Sequence, residues 1–210
     1  VQKESLAEKP QTIITISRQH GSGGREVGKR LAEQLGIPFY DQELIELAVQ
    51  SSPIDREHFE NAETSGVGSL LYDLAADVRR DRSIQDKTFL HQSGIIREIA
   101  EKGSCVIVGR CADYVLKNNP SLLRVFIYAD PESRKYRIEH VYHESPGTEE
   151  EQLLKTDKKR AAYYQHYTGR KFGDAQNYDI CLNSGMLGIE ECVKLIQDAC
   201  LDKSSGKGIE

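Results

Sequence analysis

The sequence has no hydrophobic run long enough to cross a membrane, because its longest apolar stretches have only the length of strands. It also has no excess of basic residues, since 28 Lys and Arg face 33 Asp and Glu, for a net charge of −5. A chain with this balance carries no general electrostatic footprint for nucleic acid. The composition therefore predicts neither a membrane protein nor a nucleic-acid-binding protein.

Disulfide and zinc patterns are also missing. The five cysteines are an odd number, and no two of them have C-x-x-C spacing. We expect buried free thiols, as in a reducing cytoplasm. His140 and His143 have a spacing that metal ligands can use, but no nearby cysteine completes a zinc pattern. A solvated histidine pair on a helix is the simpler interpretation.

A strand, a glycine-rich turn and a helix are predicted at the start of the chain. The apolar, β-branched run at 13–16 is typical of a buried parallel strand. Val27, Leu31 and Leu35 recur at helical spacing, so a helix is predicted to begin near Arg25.

The turn between strand and helix, residues 18–26, is predicted to bind phosphate. Its glycines allow positive φ and a close approach of the backbone to a ligand, and the helix dipole attracts an anion. A P-loop would have a lysine for the β/γ phosphates and a Ser or Thr for magnesium, and here those places hold Gly24 and Glu26. Arg25 is the candidate replacement for the lysine, and a purely structural turn is the alternative. The predicted phosphate-binding residues are Arg18, Gly21, Ser22, Gly23, Gly24, Arg25 and Glu26.

The run at 14–27, ITISRQHGSGGREV, continued by LGIPFYD at 35–41, resembles the cytidylate kinase-like family. These are P-loop relatives of bacterial cytidylate kinase that carry this altered loop. The likeness covers roughly residues 12–201. It implies a single kinase-like domain at 12–201 between flexible tails at 1–11 and 202–210. It also implies ATP as phosphoryl donor, Mg²⁺, and a nucleoside monophosphate acceptor, above all CMP or dCMP.

Four residues match places that contact the acceptor in such kinases: Asp41, Arg110, Asp157 and Arg160. Arg110 also follows an apolar strand directly, at the carboxyl end where open α/β sheets bind ligands. Each has a simpler alternative: a helix N-cap for Asp41, a surface salt bridge for Arg110, and an ordinary helical ion pair for Asp157 with Arg160. The family has an aspartate directly after the Gly-Arg pair, where this chain has Cys111.

A lid region at about 134–174 is implied by the same resemblance. Arginines on its first helix approach the transferred phosphoryl group in this kinase group, so the predicted catalytic residues are Arg25, Arg134 and Arg137. An acidic, polar excursion at about 51–87 stands where the acceptor-binding segment of such kinases is expected. Its arginines at 79, 80 and 82 either reach an acceptor phosphate or form a solvated helix face. The base-reading residues of cytidylate kinases have no match there.

The predicted fold is a three-layer α/β P-loop kinase fold with a helical lid. Strands are predicted at 13–16, 37–40, 105–108, 123–129 and 178–183, and helical patterns alternate with them. That alternation predicts a parallel sheet of about five strands with helices on both faces.

ATP-dependent phosphoryl transfer to a nucleoside monophosphate is therefore the predicted function, with small-molecule nucleotides as partners. No metal ligand is firmly assigned, although Glu26 could contact magnesium through water. One alternative is a nucleotide-binding sensor that has lost catalysis, which the missing lysine and hydroxyl favour. Another is a kinase for a different phosphorylated or hydroxyl acceptor, which the unmatched excursion favours.

Overall fold

The computed structural model describes residues 11–50, 84–142 and 149–204. Its centre is a five-stranded parallel sheet with the strand order β2-β3-β1-β4-β5. The strands are β1 (Ile13–Arg18), β2 (Phe39–Tyr40), β3 (Cys105–Val108), β4 (Leu122–Tyr128) and β5 (Ile180–Asn183).

Eight α-helices connect and cover the strands in the described part of the chain. They are α1 (Gly24–Leu35), α2 (Gln42–Gln50), α3 (Ile84–Lys102), α4 (Ala112–Val115), α5 (Pro131–His140), α6 (Glu149–Thr168), α7 (Ser184–Leu187) and α8 (Ile189–Ser204). A 3₁₀ turn, Ala175–Asn177, precedes β5.

Alternating side chains of the central strands divide the core into two layers. Ile14 and Ile16 of β1 pack on one face of the sheet with α1 and α8, whereas Ile13 packs on the other face with α2 and α3. Both faces of β1 are covered, so its apolar run does not alternate with polar residues. The predicted three-layer parallel α/β fold is confirmed.

Helix ends follow local signals in the sequence. α1 ends at Leu35 and is capped by Gly36, which has φ of +64° and a backbone N–H bonded to the last turn. α5 begins with Pro131 behind the N-cap Asp130, whose side chain accepts from the N–H of Ser133. Asp41 accepts from the N–H of Leu44 at 3.1 Å, so its predicted role as a cap of α2 is confirmed.

Several sequence predictions need correction or lie outside the described residues. Cys181 is exposed, whereas the other four cysteines are buried free thiols as expected. α8 continues to Ser204, past the predicted start of a tail at 202. The arginines at 79, 80 and 82, most of the predicted excursion and His143 fall outside the described residues. No helix among the described residues is both long and apolar enough to span a membrane.

All five strands are parallel, so their carboxyl ends meet at one edge of the sheet. The glycine-rich turn follows β1 at this edge, Arg110 follows β3, and α5 follows β4. Asp41 follows β2 at the same edge, and helix α6 contributes the remaining predicted residues, Asp157 and Arg160.

Candidate functional site

The glycine loop, residues 18–26, joins the carboxyl end of β1 to the first turn of α1. Gly21 and Gly23 both have φ of +77°, in the left-handed region that other residues seldom adopt. Gly23 is the N-cap of α1, and no side chain caps the helix there. The first N–H groups of a helix lack intrahelical partners, so this end of α1 suits an anion.

A cavity of about 540 Å³ opens in front of the loop, and we call it the loop cavity. Six of the seven predicted phosphate-binding residues line it: Arg18, Gly21, Gly23, Gly24, Arg25 and Glu26. The seventh, Ser22, is fully buried, and its hydroxyl donates to the carbonyls of Gln19 at 2.8 Å and Ile127 at 3.1 Å. The side chain of Ser22 therefore shapes the loop from behind and does not enter the cavity.

Arg25, the candidate replacement for the lysine, forms an ion pair with Asp41. Its Nε donates to Oδ2 of Asp41 at 2.7 Å, and its Nη2 lies 2.6 Å from the same oxygen. The Arg25 side chain is 58% exposed, whereas that of Asp41 is 5% exposed. The pair joins the first turn of α1 to the N-terminus of α2. The Asp41 carboxylate, which was predicted to contact an acceptor, is therefore bound to Arg25.

Glu26 faces the loop cavity from the first turn of α1. Its carboxylate forms an ion pair with Arg30, one helical turn along, at 2.6 Å. No cluster of three potential metal ligands occurs among the described residues. Magnesium in nucleotide sites is commonly held by one or two carboxylates together with phosphate oxygens and water. One carboxylate at the loop fits that pattern, and Glu26 is the residue that would hold the ion.

The ion pair between Arg134 on α5 and Asp157 on α6 holds the loop from behind. Oδ1 of Asp157 accepts the backbone N–H of His20 at 2.8 Å, and the His20 carbonyl accepts from Nε of Arg134 at 2.6 Å. Nη2 of Arg134 also donates to Oδ2 of Asp157. Neither residue lines the loop cavity, and both contact the loop backbone at His20.

Arg137 also contacts the loop backbone, because its Nη1 donates to the carbonyl of Gly21 at 3.2 Å. Its guanidinium lies over Gly23, where a Cβ would approach Cζ of Arg137 to 3.1 Å. Arg137 therefore lies beside Gly21 and Gly23 of the predicted phosphate-binding loop, and Arg134 also lies beside Gly21.

Arg110 is carried on an unusual stretch of backbone. Arg110 and Cys111 have φ of +54° and +55°, and they are the described non-glycine residues with positive φ. Two consecutive left-handed residues with side chains cost free energy, and such strain clusters at functional sites. They turn the chain sharply between β3 and α4.

The Arg110 side chain is 18% exposed and forms an ion pair with Glu46 of α2. Its Cζ lies 5.8 Å from the ring centroid of Tyr163, within range of a cation–π contact. Nε of Arg110 is buried without a hydrogen-bond partner among the described residues. Burying an unpaired donor costs free energy, and a ligand that accepts a hydrogen bond from this Nε removes that cost.

A second cavity, of about 410 Å³, lies between the loop, the β3–α4 turn and α6, and we call it the central cavity. Four cationic side chains line it: Arg18, Arg110, Lys159 and Arg160. Three aromatic side chains line it as well: Tyr163, Tyr164 and Phe172. None of the described lining residues is a carboxylate. This surface suits an anionic ligand with a flat, apolar part.

The loop cavity and the central cavity share two residues, Arg18 and Arg160. Nη1 of Arg160 donates to the carbonyl of Arg18 at 3.3 Å, which holds α6 against the end of β1. Burial, together with the charges of Arg160 and Arg110, lowers the pKa of Arg18 to about 9. Arg18 therefore remains charged at neutral pH in a setting that favours an anion.

A buried acid supports the aromatic wall of the central cavity. Oδ2 of Asp113 accepts from the hydroxyl of Tyr164 at 2.7 Å, and both side chains are buried. Burial raises the pKa of Asp113, although the hydrogen bond from Tyr164 opposes that shift. Burial also raises the pKa of the Cys111 thiol to about 12, so this thiol is neutral and unreactive at neutral pH.

Sequence reasoning found the arginines of the site but did not predict most of the other residues that line the central cavity. Lys159, Tyr163 and Tyr164 lie within one helical turn of Arg160, and their grouping on α6 without a core stripe was the available signal. Phe172 comes from the turn after α6, a basic segment with two glycines at 168–174.

The cytidylate kinase-like family is the known family whose sequence pattern this chain matches, over residues 13–186. Two curated relatives, both cytidylate kinases, match across most of their length. The protein from Archaeoglobus fulgidus is 28% identical over 193 residues, covering 89% of this chain and 93% of that protein. The protein from Methanococcus vannielii is 25% identical over 192 residues, covering 89% and 98%.

Solved structures give the same picture of the fold. An uncharacterized protein from Eubacterium ventriosum has a TM-score of 0.72 at 29% identity, with 92% of this chain and 99% of that chain covered. A gluconokinase from Sinorhizobium meliloti has a TM-score of 0.55 at 14% identity, covering 94% and 98%. A shikimate kinase from Bacteroides thetaiotaomicron has a TM-score of 0.53 at 19% identity, covering 90% and 98%. The last two likenesses concern the fold alone.

Proposed function

The chain belongs to the cytidylate kinase-like family, and on that premise we propose that it transfers the γ-phosphoryl group of ATP to a nucleoside monophosphate, with CMP and dCMP as the first candidates. One observation carries the proposal: the loop cavity and the central cavity meet at Arg18 and Arg160. A donor phosphate chain on the loop and an acceptor phosphate in the central cavity would face each other there.

The acceptor is proposed to lie in the central cavity. Its phosphate would contact Arg110 and Arg160, because guanidinium groups bind phosphate through paired hydrogen bonds. Its base would contact the aromatic wall formed by Tyr163, Tyr164 and Phe172. Binding of the phosphate would also supply an acceptor for the buried Nε of Arg110.

The reaction requires positioning and positive charge. An acceptor phosphate oxygen bonds to the γ-phosphorus while the bond from that phosphorus to the β–γ bridging oxygen breaks. The bridging oxygen leaves on ADP with the bonding electron pair, so no side chain has to become a covalent nucleophile. The glycine loop would hold the donor phosphates with helix N–H groups, and the arginines would neutralise charge at the transferring group. Magnesium, when bound, supplies further neutralisation of the β- and γ-phosphates.

The test is ADP release from ATP and Mg²⁺ with CMP, dCMP, UMP and AMP offered separately. We expect acceptor-dependent ADP release, with Arg110→Ala raising the acceptor KM by about 10- to 100-fold, as expected for a charge-assisted hydrogen bond. Arg97→Ala is the matched control, because Arg97 is exposed on α3 and lines neither cavity.

The second candidate is a nucleotide sensor without catalysis. The observation that favours it is the loop itself, in which Gly24 stands at the lysine place and Glu26 at the hydroxyl place. Measurable ATP binding with no ADP release in the presence of any acceptor would favour the sensor and contradict the kinase proposal.

A further inference from the structure

We propose that Arg18, at the end of β1, is the catalytic cation that takes over the role of the missing P-loop lysine at the transferring phosphoryl group. The inference rests on the proposed function and deepens it. It assigns the catalytic role to Arg18 instead of Arg25, which is adjacent in sequence to Gly24, the residue at the position of the P-loop lysine.

The first argument is position. Arg18 is the last residue of the central strand, and its side chain lines both the loop cavity and the central cavity. A transferring phosphoryl group must touch the donor on one side and the acceptor on the other. The point where the two cavities meet is therefore the point where the charge is needed.

The second argument is that the surroundings leave room for this side chain. A Cβ on Gly24 would lie 2.5 Å from Cβ of Arg18, and a Cβ on Gly109 would collide with the Arg18 guanidinium. The guanidinium thus packs on the bare backbone of Gly109, which has φ of +83°. Two glycines from separate parts of the chain accommodate one arginine.

The third argument concerns charge partners. Four other arginines of the site form ion pairs with carboxylates: Arg25 with Asp41, Arg110 with Glu46, and both Arg134 and Arg160 with Asp157. Within the described part of the chain, the Arg18 guanidinium forms no ion pair or hydrogen bond. Burial and the charges of Arg160 and Arg110 lower the pKa of Arg18, and the charge of Asp41 offsets only part of that shift. A nucleotide phosphate would supply the missing negative charge.

Arg25, by contrast, acts as a positioning residue. Both of its contacts to Asp41 are within 2.7 Å, and the other oxygen of Asp41 caps α2 through Leu44. Arg25 therefore links the glycine loop to the helix that carries Glu46, and through Glu46 to Arg110.

The first experiment measures ADP release by the full chain carrying Arg18→Ala, with whichever acceptor supports turnover of the wild type. We expect kcat to fall by about 10³- to 10⁵-fold, the range measured for an arginine at a transferring phosphoryl group. Added guanidinium chloride should restore part of the lost kcat, compared with potassium chloride at equal ionic strength. Arg97→Ala is the control for the loss of an exposed arginine. A fall of less than tenfold for Arg18→Ala would overturn the inference.

A second variant separates a catalytic effect from a folding defect. Gly109→Ala places a methyl group where the Arg18 guanidinium lies, while it leaves Arg18 in the chain. We expect it to lower kcat strongly in the wild type and only slightly in the Arg18→Ala background, because the clash is then gone. Backbone strain at Gly109 is the same in both backgrounds and cancels in this comparison. Equal effects in the two backgrounds would contradict the proposed packing.

A binding measurement tells failure of this inference apart from failure of the proposed function. If the wild type releases no ADP with any acceptor but binds ATP, the kinase proposal fails and turnover cannot be compared. The affinities for ATP and ADP then decide the role of Arg18. A loss of affinity in Arg18→Ala that is at least tenfold greater for ATP than for ADP supports a contact to the γ-phosphate. An equal loss for both nucleotides, or none, overturns it.

Discussion

At the scale of single residues, Asp113 is a buried acid whose pKa is raised by burial. An acid with a higher pKa in the folded state binds more protons folded than unfolded over the pH range between the two pKa values. Its contribution to stability is therefore fully present below the unfolded pKa and is lost as pH rises through the folded pKa. Asp113→Asn removes this titration while keeping a side-chain oxygen for Tyr164.

We accordingly expect the free energy of unfolding of Asp113→Asn minus that of wild type to increase as pH rises from acidic values toward neutrality, because only the wild type loses stability in that range. Urea denaturation at a series of pH values measures this difference. Asp130→Asn is the comparison, because the pKa of exposed Asp130 is lowered by its hydrogen bonds to Ser133, so the trend has the opposite sign. A difference for Asp113→Asn that does not change with pH would show that burial does not perturb this carboxyl group.

The contrast between Arg18 and Arg25 shows what sequence can predict at the residue scale. Both arginines were predicted at the phosphate-binding loop, and both line the loop cavity. Their spacing along the chain favoured Arg25 for catalysis. The direction of a long side chain depends on partners that lie far away in sequence, here Asp41 for one arginine and Gly109 for the other. No local pattern contains that information.

At the scale of elements, α5 and α6 together bind the backbone of one loop residue, His20. The ion pair of Arg134 and Asp157 binds both the N–H and the carbonyl of His20. We expect Asp157→Ala to weaken ATP binding by about tenfold, because loss of a charge-assisted hydrogen bond costs about 1.5–3 kcal/mol and only part of that loss reaches the ligand. Isothermal titration with ATP measures the change in affinity.

Hydrogen exchange gives a second measure of the same contact. The His20 amide should exchange faster in Asp157→Ala, whereas the amide of Leu31 in the middle of α1 should keep its protection. Asp179→Ala is the matched control, because Asp179 pairs with Arg124 between β4 and β5, and neither residue lines the loop cavity. Unchanged exchange at His20 would exclude the proposed hold on the loop.

Strongly patterned elements could be predicted from sequence, whereas elements without a pattern of their own could not. β3 has the predicted bounds, and α8 buries Val193, Ile196 and Cys200 of its predicted apolar stripe. β2 has two residues instead of the predicted four. The four-residue helices α4 and α7 were not predicted, because a single turn contains no periodicity.

At the scale of the whole molecule, a net charge of −5 coexists with a concentrated group of cations at one edge of the sheet. Local charges dominate the approach of a small anion, because exposed charges farther away than about 10 Å are largely screened at 0.1 M salt. We expect the association rate of ATP to fall by about tenfold as sodium chloride is raised from low concentration to 0.5 M, within the usual range for electrostatic steering. Stopped-flow measurements follow the rate directly.

Adenosine is the control ligand in that experiment, because it lacks the phosphates on which steering would act. Its binding should show little dependence on salt. Replacing Lys159 by Ala should weaken the dependence of the ATP association rate on salt concentration, since Lys159 is one of the four cations of the central cavity. An ATP association rate that rises with salt would mean that the overall negative charge dominates.

The arrangement of the sheet marks the limit of sequence-based reasoning about the whole molecule. The number of strands and their parallel direction followed from the alternation of strand and helix patterns. The order β2-β3-β1-β4-β5 did not, because it depends on which buried strands pair across long stretches of chain. That order puts β1 between β3 and β4, and so brings Gly109 beside Arg18.

The contact between Arg18 and Gly109 also constrains how such a site can evolve. A lineage that keeps the arginine has no room for a larger residue at 109, while a lineage that loses the arginine is released from that restriction. We therefore expect the two positions to vary together among related chains, with any residue larger than glycine at 109 accompanied by loss of the arginine at 18. The residues at positions 18 and 109 would then distinguish relatives that retain this form of the site from relatives that have lost it.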